Sequence, residues 1–102
     1  MNYQILAPAK QELINSIEYY NRKEINLGYK LLLDYEDAVD RILDNPMAWP
    51  PLTENTRRCL LKNFPYGIIY QTKDLISIIA FMNPKRKPDY WKEIVKKEGF
   101  EI

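Results

Sequence analysis

The chain has 102 residues, 46% of them hydrophobic and 28% charged, so it can bury one core, and we expect a single domain over residues 1–102. It has no histidine and a single cysteine, which excludes an internal disulfide, a cysteine–histidine zinc site and a histidine general base. We expect neither a cofactor nor a metal ion, and any catalysis would use lysine, arginine, tyrosine or carboxylate side chains.

The net charge of +1 is distributed unevenly along the chain. Residues 1–56 hold five cations and nine carboxylates, and residues 57–102 hold ten cations and five carboxylates. A domain built from both parts has a dipolar surface, whose positive side can attract an anionic partner; an ordinary solvated surface is the alternative. The apolar runs are too short to span a membrane and no export signal is recognisable, so we expect a cytoplasmic protein without membrane contact.

The first half of the chain predicts one strand and two helices. Residues 2–6 alternate in polarity like a short strand, and a helix follows over about residues 8–23, with Pro8 in its first turn. Asn26 is the expected side-chain cap of a second helix over residues 27–44, which ends at Asn45 because Pro46 follows. The face of this helix opposite its apolar stripe carries the charged residues Asp34, Glu36, Asp37, Asp40, Arg41 and Asp44.

The second half predicts three strands, over residues 57–64, 66–71 and 75–82. The last of them is almost wholly apolar, so we expect it in the interior of the sheet. Cys59 is expected to be a small apolar strand residue, and Trp49, in the preceding proline-rich loop, to cover the edge of the core. Residues 89–97 have the pattern of one helical turn or more.

These elements predict an α+β fold of order β-α-α-β-β-β. The two helices form an antiparallel hairpin that packs on one face of a mostly antiparallel four-stranded sheet. The other face of the sheet is expected to be partly open or covered by the C-terminal segment.

The cations of the second half are concentrated at predicted strand ends. Arg57 and Arg58 begin one strand, Lys62 lies near its end, and Arg86 follows the last strand. Arginine offers a planar set of donors for phosphate, and aromatic rings offer faces for stacking. The cluster that has the chemistry of an RNA or phosphate site consists of Arg58, Lys62, Arg86 and Tyr90. Packing of the C-terminal segment onto the sheet is the alternative role for Tyr90 and its neighbour Trp91.

In order and spacing, the segments of this chain resemble the RelE/ParE toxins of bacterial type II toxin–antitoxin systems, and more closely the ParE-like, plasmid stabilisation branch. The resemblance covers nearly the whole chain. It rests on the opening strand and on the segments APAKQELINSIEYY, LGYKLLLDYEDAVDRILDNP, RRCLLKNFPYGIIYQ and NPKRKPDYW.

The resemblance implies a growth inhibitor that a cognate antitoxin neutralises, present as a dimer or as a toxin–antitoxin hetero-oligomer. In this family, ParE types poison DNA gyrase and RelE types cut mRNA on the ribosome. We favour the gyrase target, which requires no catalytic residue in the toxin; a ribosome-dependent endoribonuclease is the alternative within the family. A non-toxic RNA-binding domain is the alternative from another class.

The resemblance also implies roles for residues. For the ribonuclease alternative it implies a catalytic set of Arg58, Lys62, Arg86 and, more loosely, Tyr90. Asn83 stands where many relatives carry a histidine, which argues against histidine-based cleavage and leaves an inactive member of the fold as a further alternative. The expected target-binding residues are Arg57, Arg58, Arg86, Lys87, Tyr90 and Trp91. Within that surface we expect Arg58 and Arg86 to converge.

Overall fold

The computed structural model describes residues 3–97 and Gly99. Its elements are β1 (Tyr3–Ile5), α1 (Ala7–Lys23), α2 (Leu27–Asp44), β2 (Thr56–Leu60), β3 (Gly67–Gln71), β4 (Ile76–Met82) and α3 (Trp91–Lys97). The predicted α+β class and the order β-α-α-β-β-β are confirmed, and the C-terminal segment adds a seven-residue helix. Asn2, the expected first residue of β1, lies outside the described residues.

The four strands form one sheet in the order β1-β4-β3-β2, so β4 lies in the interior, as its apolar sequence predicts. The pairs β2–β3 and β3–β4 are antiparallel, whereas β1 pairs with β4 in parallel. The sheet is therefore mostly antiparallel, as expected. The register between β3 and β4 shifts between Ile69 and Tyr70, which leaves Ile79 as an extra residue in β4, as in a β-bulge.

Strand β2 ends at Leu60, so the prediction of a strand through residue 64 was wrong. The reason lies in α2, where Asp34 is 5% exposed rather than on the solvated face to which its charge had assigned it. Its Oδ2 atom accepts hydrogen bonds from the backbone N–H groups of Asn63 (2.8 Å) and Phe64 (2.9 Å). These bonds hold residues 61–66 as a loop against α2, because a buried carboxylate needs such partners.

The connection between the helices also differs from the prediction. Asn26 has a left-handed backbone (φ 67°) and its side chain forms no capping hydrogen bond. The Oδ1 atom of Asn21, at the end of α1, instead accepts the N–H of Gly28 at 2.9 Å. Asn21 therefore supplies the side-chain acceptor at the start of α2.

The helical hairpin packs on one face of the sheet. Its core joins α1 and α2 to the inward side chains of the sheet, among them Leu31, Ile42 and Ile68, each at most 1% exposed. Cys59 is fully buried in this core and Trp49 packs against its edge, which confirms both predictions.

The opposite face is covered in part by α3. Trp91 and Val95 pack with Ile69, Ile79 and Ala80 in a second, smaller core. Leu60, on β2, remains 58% exposed, so the β2 side of this face is open. Of the helices that the structure describes, none combines the length and apolar composition that a bilayer crossing requires.

Candidate functional site

Three consecutive cations, Lys85, Arg86 and Lys87, lie exposed in the loop that leaves β4. We call residues 83–90 the basic loop. Asn83 shapes its first part: its Oδ1 atom accepts the Lys85 N–H at 2.9 Å, and its carbonyl oxygen accepts the Arg86 N–H at 3.0 Å. Such local bonds are typical of a tight turn started by asparagine, and they project the cations beyond the end of an interior strand.

Arg86 stacks on Tyr90 within the same loop. Its guanidinium carbon lies 4.1 Å from the centre of the Tyr90 ring, within the range of a cation–π interaction. The Tyr90 hydroxyl donates a 2.5 Å hydrogen bond to Oε2 of Glu12, a residue of α1. The cation is therefore held by a ring that is itself fixed to the first helix.

Glu12 reaches Tyr90 from the edge of β4. The register pairs β1 with residues 76–78 only, and the chain then turns into α1. Further along the strand, the N–H of Phe81 donates to Oε1 of Glu12 at 3.2 Å. Each carboxylate oxygen thus has one donor, and Glu12 links α1, the open edge of β4 and the basic loop. We call Glu12, Tyr90 and Arg86 the anchor triad.

Burial favours the neutral, protonated forms of two side chains of the anchor triad, Glu12 and Tyr90. Desolvation raises the pKa of Glu12 above 4.5, against the lowering effects of the Tyr90 and Phe81 hydrogen bonds and of the Arg86 charge. Desolvation and the bond to Glu12 raise the pKa of Tyr90 well above its usual 10. Tyr90 is therefore a neutral phenol at pH 7, so its hydroxyl is a hydrogen-bond donor and not a proton-accepting base.

Arg58 lies on the open side of the sheet, away from the hairpin. Its stem and the side chain of Leu60 lie over Gly67 of β3, where an added Cβ would meet them at 3.3 Å. Arg58 lines a groove of about 380 Å³ with Met82 and Pro84, among others. Arg86 lines another groove, with Lys87 and Tyr90. Arg58 and Arg86 thus line two different grooves, and their convergence stays a prediction.

Arg57 and Lys62 have partners within the chain. The guanidinium of Arg57, half-buried, donates to the carbonyl oxygen of Trp49 and fastens the proline-rich loop to β2. Lys62 is exposed and lies 3.7 Å from Asp37 of α2. The exposed Lys62 can exchange this weak pair for another anion, whereas Arg57 would first have to release the loop.

Trp91 packs rather than faces solvent. The side chain is 1% exposed, and its indole N–H donates to the carbonyl oxygen of Pro88 at 2.8 Å. Trp91 was considered for packing and for target binding, and the structure shows it packed. Arg86 of the anchor triad is exposed, and so are its neighbours Lys85 and Lys87.

Sequence reasoning did not find Glu12. It lies at the margin of the apolar stripe of α1, one turn after the fully buried Ala9 and next to Leu13. A carboxylate at such a margin is a weak sign of a buried partner. Its two partners, Phe81 and Tyr90, lie 69 and 78 residues away along the chain.

Residues 3–97 and Gly99 contain no group of three or more acidic or cysteine side chains arranged to hold a metal ion. No protein-family model matches the chain, and no curated protein matches it significantly.

Proposed function

We propose that this chain is the toxin of a bacterial type II toxin–antitoxin pair and that it inhibits growth by binding its target, DNA gyrase, rather than by cutting RNA. The observation that carries the proposal is the anchor triad, which fixes an exposed arginine at the end of an interior strand. A cation fixed in advance loses little conformational freedom on binding, so it suits recognition of an anionic surface. The order of elements is the one expected from the resemblance.

Binding is favoured over cleavage by the positions and partners of the four residues considered catalytic. Lys62 is paired with Asp37, Arg58 and Arg86 lie in different grooves, and the Tyr90 hydroxyl is occupied by Glu12. The Tyr90 hydroxyl donates to Glu12 and would have to leave that bond to act on an RNA hydroxyl or phosphate. A gyrase target would also require the protein to be cytoplasmic.

An antitoxin partner is part of the proposal. The lining of the groove beside Arg58 is largely apolar and includes Phe64 and the exposed Leu60. An extended or helical tail of an antitoxin can cover such a surface and become ordered as it binds. Co-expression with the neighbouring gene is expected to give a tight complex and to restore growth.

The test of the proposal is induced expression of the full chain in bacteria. Growth should stop, and incorporation of labelled thymidine should fall before that of labelled methionine. If protein synthesis falls first, the target is the ribosome and the gyrase proposal is wrong. Normal growth at a high level of soluble, folded protein would contradict the toxin assignment and favour the non-toxic RNA-binding domain or an inactive member of the fold.

A further inference from the structure

A third groove, of about 370 Å³, lies against α1 and shares Pro65, Tyr66 and Pro84 with the groove that Arg58 lines. Three parts of the chain form it: α1, the loop before β3 and the first residues of the basic loop. Its lining residues are Asn15, Ser16, Tyr19, Tyr20, Pro65, Tyr66, Asn83, Pro84 and Lys85. The volume falls in the range of small-ligand sites.

The wall of this groove is a cluster of aromatic rings held in fixed orientations. Tyr20 makes edge contacts with Tyr19 (ring centres 5.2 Å apart) and with Tyr66 (6.2 Å). Tyr66 in turn stacks on the buried Phe81 at 4.6 Å. Tyr19, at the outer end of the cluster, is 46% exposed. The groove thus offers an exposed ring on a rigid support, which is a suitable surface for a planar ligand.

Two side-chain amides, those of Asn15 and Asn83, offer hydrogen-bond donors to the groove. The Oδ1 atom of Asn83 accepts the Lys85 N–H, and that of Asn15 accepts Nε2 of Gln11 at 2.8 Å. The NH₂ group of each amide is therefore the end left for a ligand. Partial burial and the neighbouring Tyr66 raise the pKa of Tyr20, so its phenol stays neutral.

The charge near the groove is positive. Lys85 lines it, and the ammonium of Lys23 lies 5.2 Å from the centre of the Tyr19 ring. None of the described residues that line it is acidic. Glu12, one turn before Asn15 and Ser16 on α1, accepts hydrogen bonds from Phe81 and Tyr90.

We propose that this groove binds a nucleotide, with the base against the Tyr19 ring, the two amides on its carbonyl and ring-nitrogen acceptors, and the phosphate near Lys85. A nucleotide joins an aromatic base that carries hydrogen-bond acceptors to an anionic phosphate. The base complements the aromatic wall and the amide donors of the groove, and the phosphate complements its cation. The ligand is either a free mononucleotide or one unpaired unit of a single-stranded RNA. The groove shares the first residues of the basic loop with the surface proposed to bind gyrase, but nucleotide binding by the purified chain is measured without reference to that target.

The test is an NMR titration of the full chain with AMP, with inorganic phosphate and with a 5′-phosphorylated RNA trinucleotide. AMP should shift the side-chain amides of Asn15 and Asn83 and saturate, whereas phosphate alone should not. If the trinucleotide binds at least about tenfold more tightly than AMP, the ligand is a unit of an RNA strand. If the two affinities are equal, the ligand is the free nucleotide.

Asn83→Asp is the diagnostic variant, since it keeps the Oδ1 acceptor for the Lys85 N–H and replaces the NH₂ donor by a negative oxygen. It should weaken nucleotide binding by about tenfold or more through repulsion of the phosphate. Lys10→Gln, an exposed cation of α1 outside the lining, is the matched control and should leave binding unchanged. The proposal is overturned if neither nucleotide shifts a lining residue at about 10 mM, if phosphate binds as AMP does, or if Asn83→Asp binds like the parent chain.

Discussion

The two faces of the sheet are built very differently. Among the described residues, fifteen form the core beneath the helical hairpin and six form the core beneath α3. The hairpin joins two helices of 17 and 18 residues, whereas α3 has seven. The hairpin face therefore supplies most of the stability of the fold, and the α3 face, with the anchor triad beside it, is the part able to open locally.

The largest expected effects come from truncating a buried side chain on each face. Leu31→Ala, beneath the hairpin, should lower the free energy of unfolding by about 3 kcal/mol and affect the whole domain, since Leu31 is fully buried. Trp91→Ala removes a larger side chain but should cost the whole domain less, because α3 can detach while the sheet and hairpin stay folded.

Urea unfolding followed by circular dichroism measures the global effect, and amide hydrogen exchange measures the local one. In Trp91→Ala, protection should be lost from residues 91–97 and retained in β3 and β4. If Trp91→Ala lowers global stability as much as Leu31→Ala and exposes all elements together, the two faces form one cooperative unit and the comparison is wrong.

Two glycines sharpen the same contrast. A Cβ on Gly28 would lie 2.4 Å from the carbonyl oxygen of Ile17, where the backbone of α1 cannot yield, so Gly28→Ala should cost about 3 kcal/mol. A Cβ on Gly67 would meet only the flexible side chains of Arg58 and Leu60, at 3.3 Å, so Gly67→Ala should cost less than about 1 kcal/mol. Thermal unfolding of both variants measures the difference, and equal losses would contradict it.

A smaller effect is expected from the pH dependence of Glu12. Its pKa is raised in the folded chain, so between its ordinary value of 4.5 and that raised value the folded chain binds the proton more tightly than the unfolded chain. The contribution of Glu12 to stability is therefore greatest below pH 4.5 and falls as the pH rises through the folded pKa.

Glu12→Gln keeps an acceptor for the Phe81 N–H and has no such titration. The free energy of unfolding of the parent chain minus that of Glu12→Gln should therefore decrease from pH 4 to pH 7, as measured by urea unfolding at a series of pH values. If this difference in free energy increases over the interval instead, the partners of Glu12 stabilise its ionised form by more than desolvation destabilises it.

The sequence was sufficient for features that depend on local patterns. The apolar stripe and Pro46 set the bounds of α2 at residues 27–44, and the wholly apolar run set β4 in the interior of the sheet. It was insufficient where distant parts of the chain meet. The end of β2 depends on Asp34 of α2, and the role of Glu12 depends on how short β1 is. The actual cap of α2, Asn21, lies seven residues from the N–H that it accepts.

The candidate site was predictable to a similar extent. The basic loop and Tyr90 follow from the resemblance and from the run of cations, and the structure pairs Arg86 with Tyr90. That Arg58 and Arg86 line different grooves did not follow, because the groove that a strand residue lines depends on which part of the sheet α3 covers. Whether these residues bind a target stays a prediction.

The measurement that tests the central claim most directly is growth inhibition by Arg86→Ala. Arg86 is exposed and its stacking contributes little, so the variant should lose less than about 1 kcal/mol of stability and stay folded by circular dichroism. Arg22→Ala, an exposed arginine at the end of α1, is the matched control. At equal soluble expression, Arg86→Ala should restore growth and Arg22→Ala should arrest it as the parent chain does. If Arg86→Ala is folded and still arrests growth fully, Arg86 is not the residue through which this protein inhibits growth.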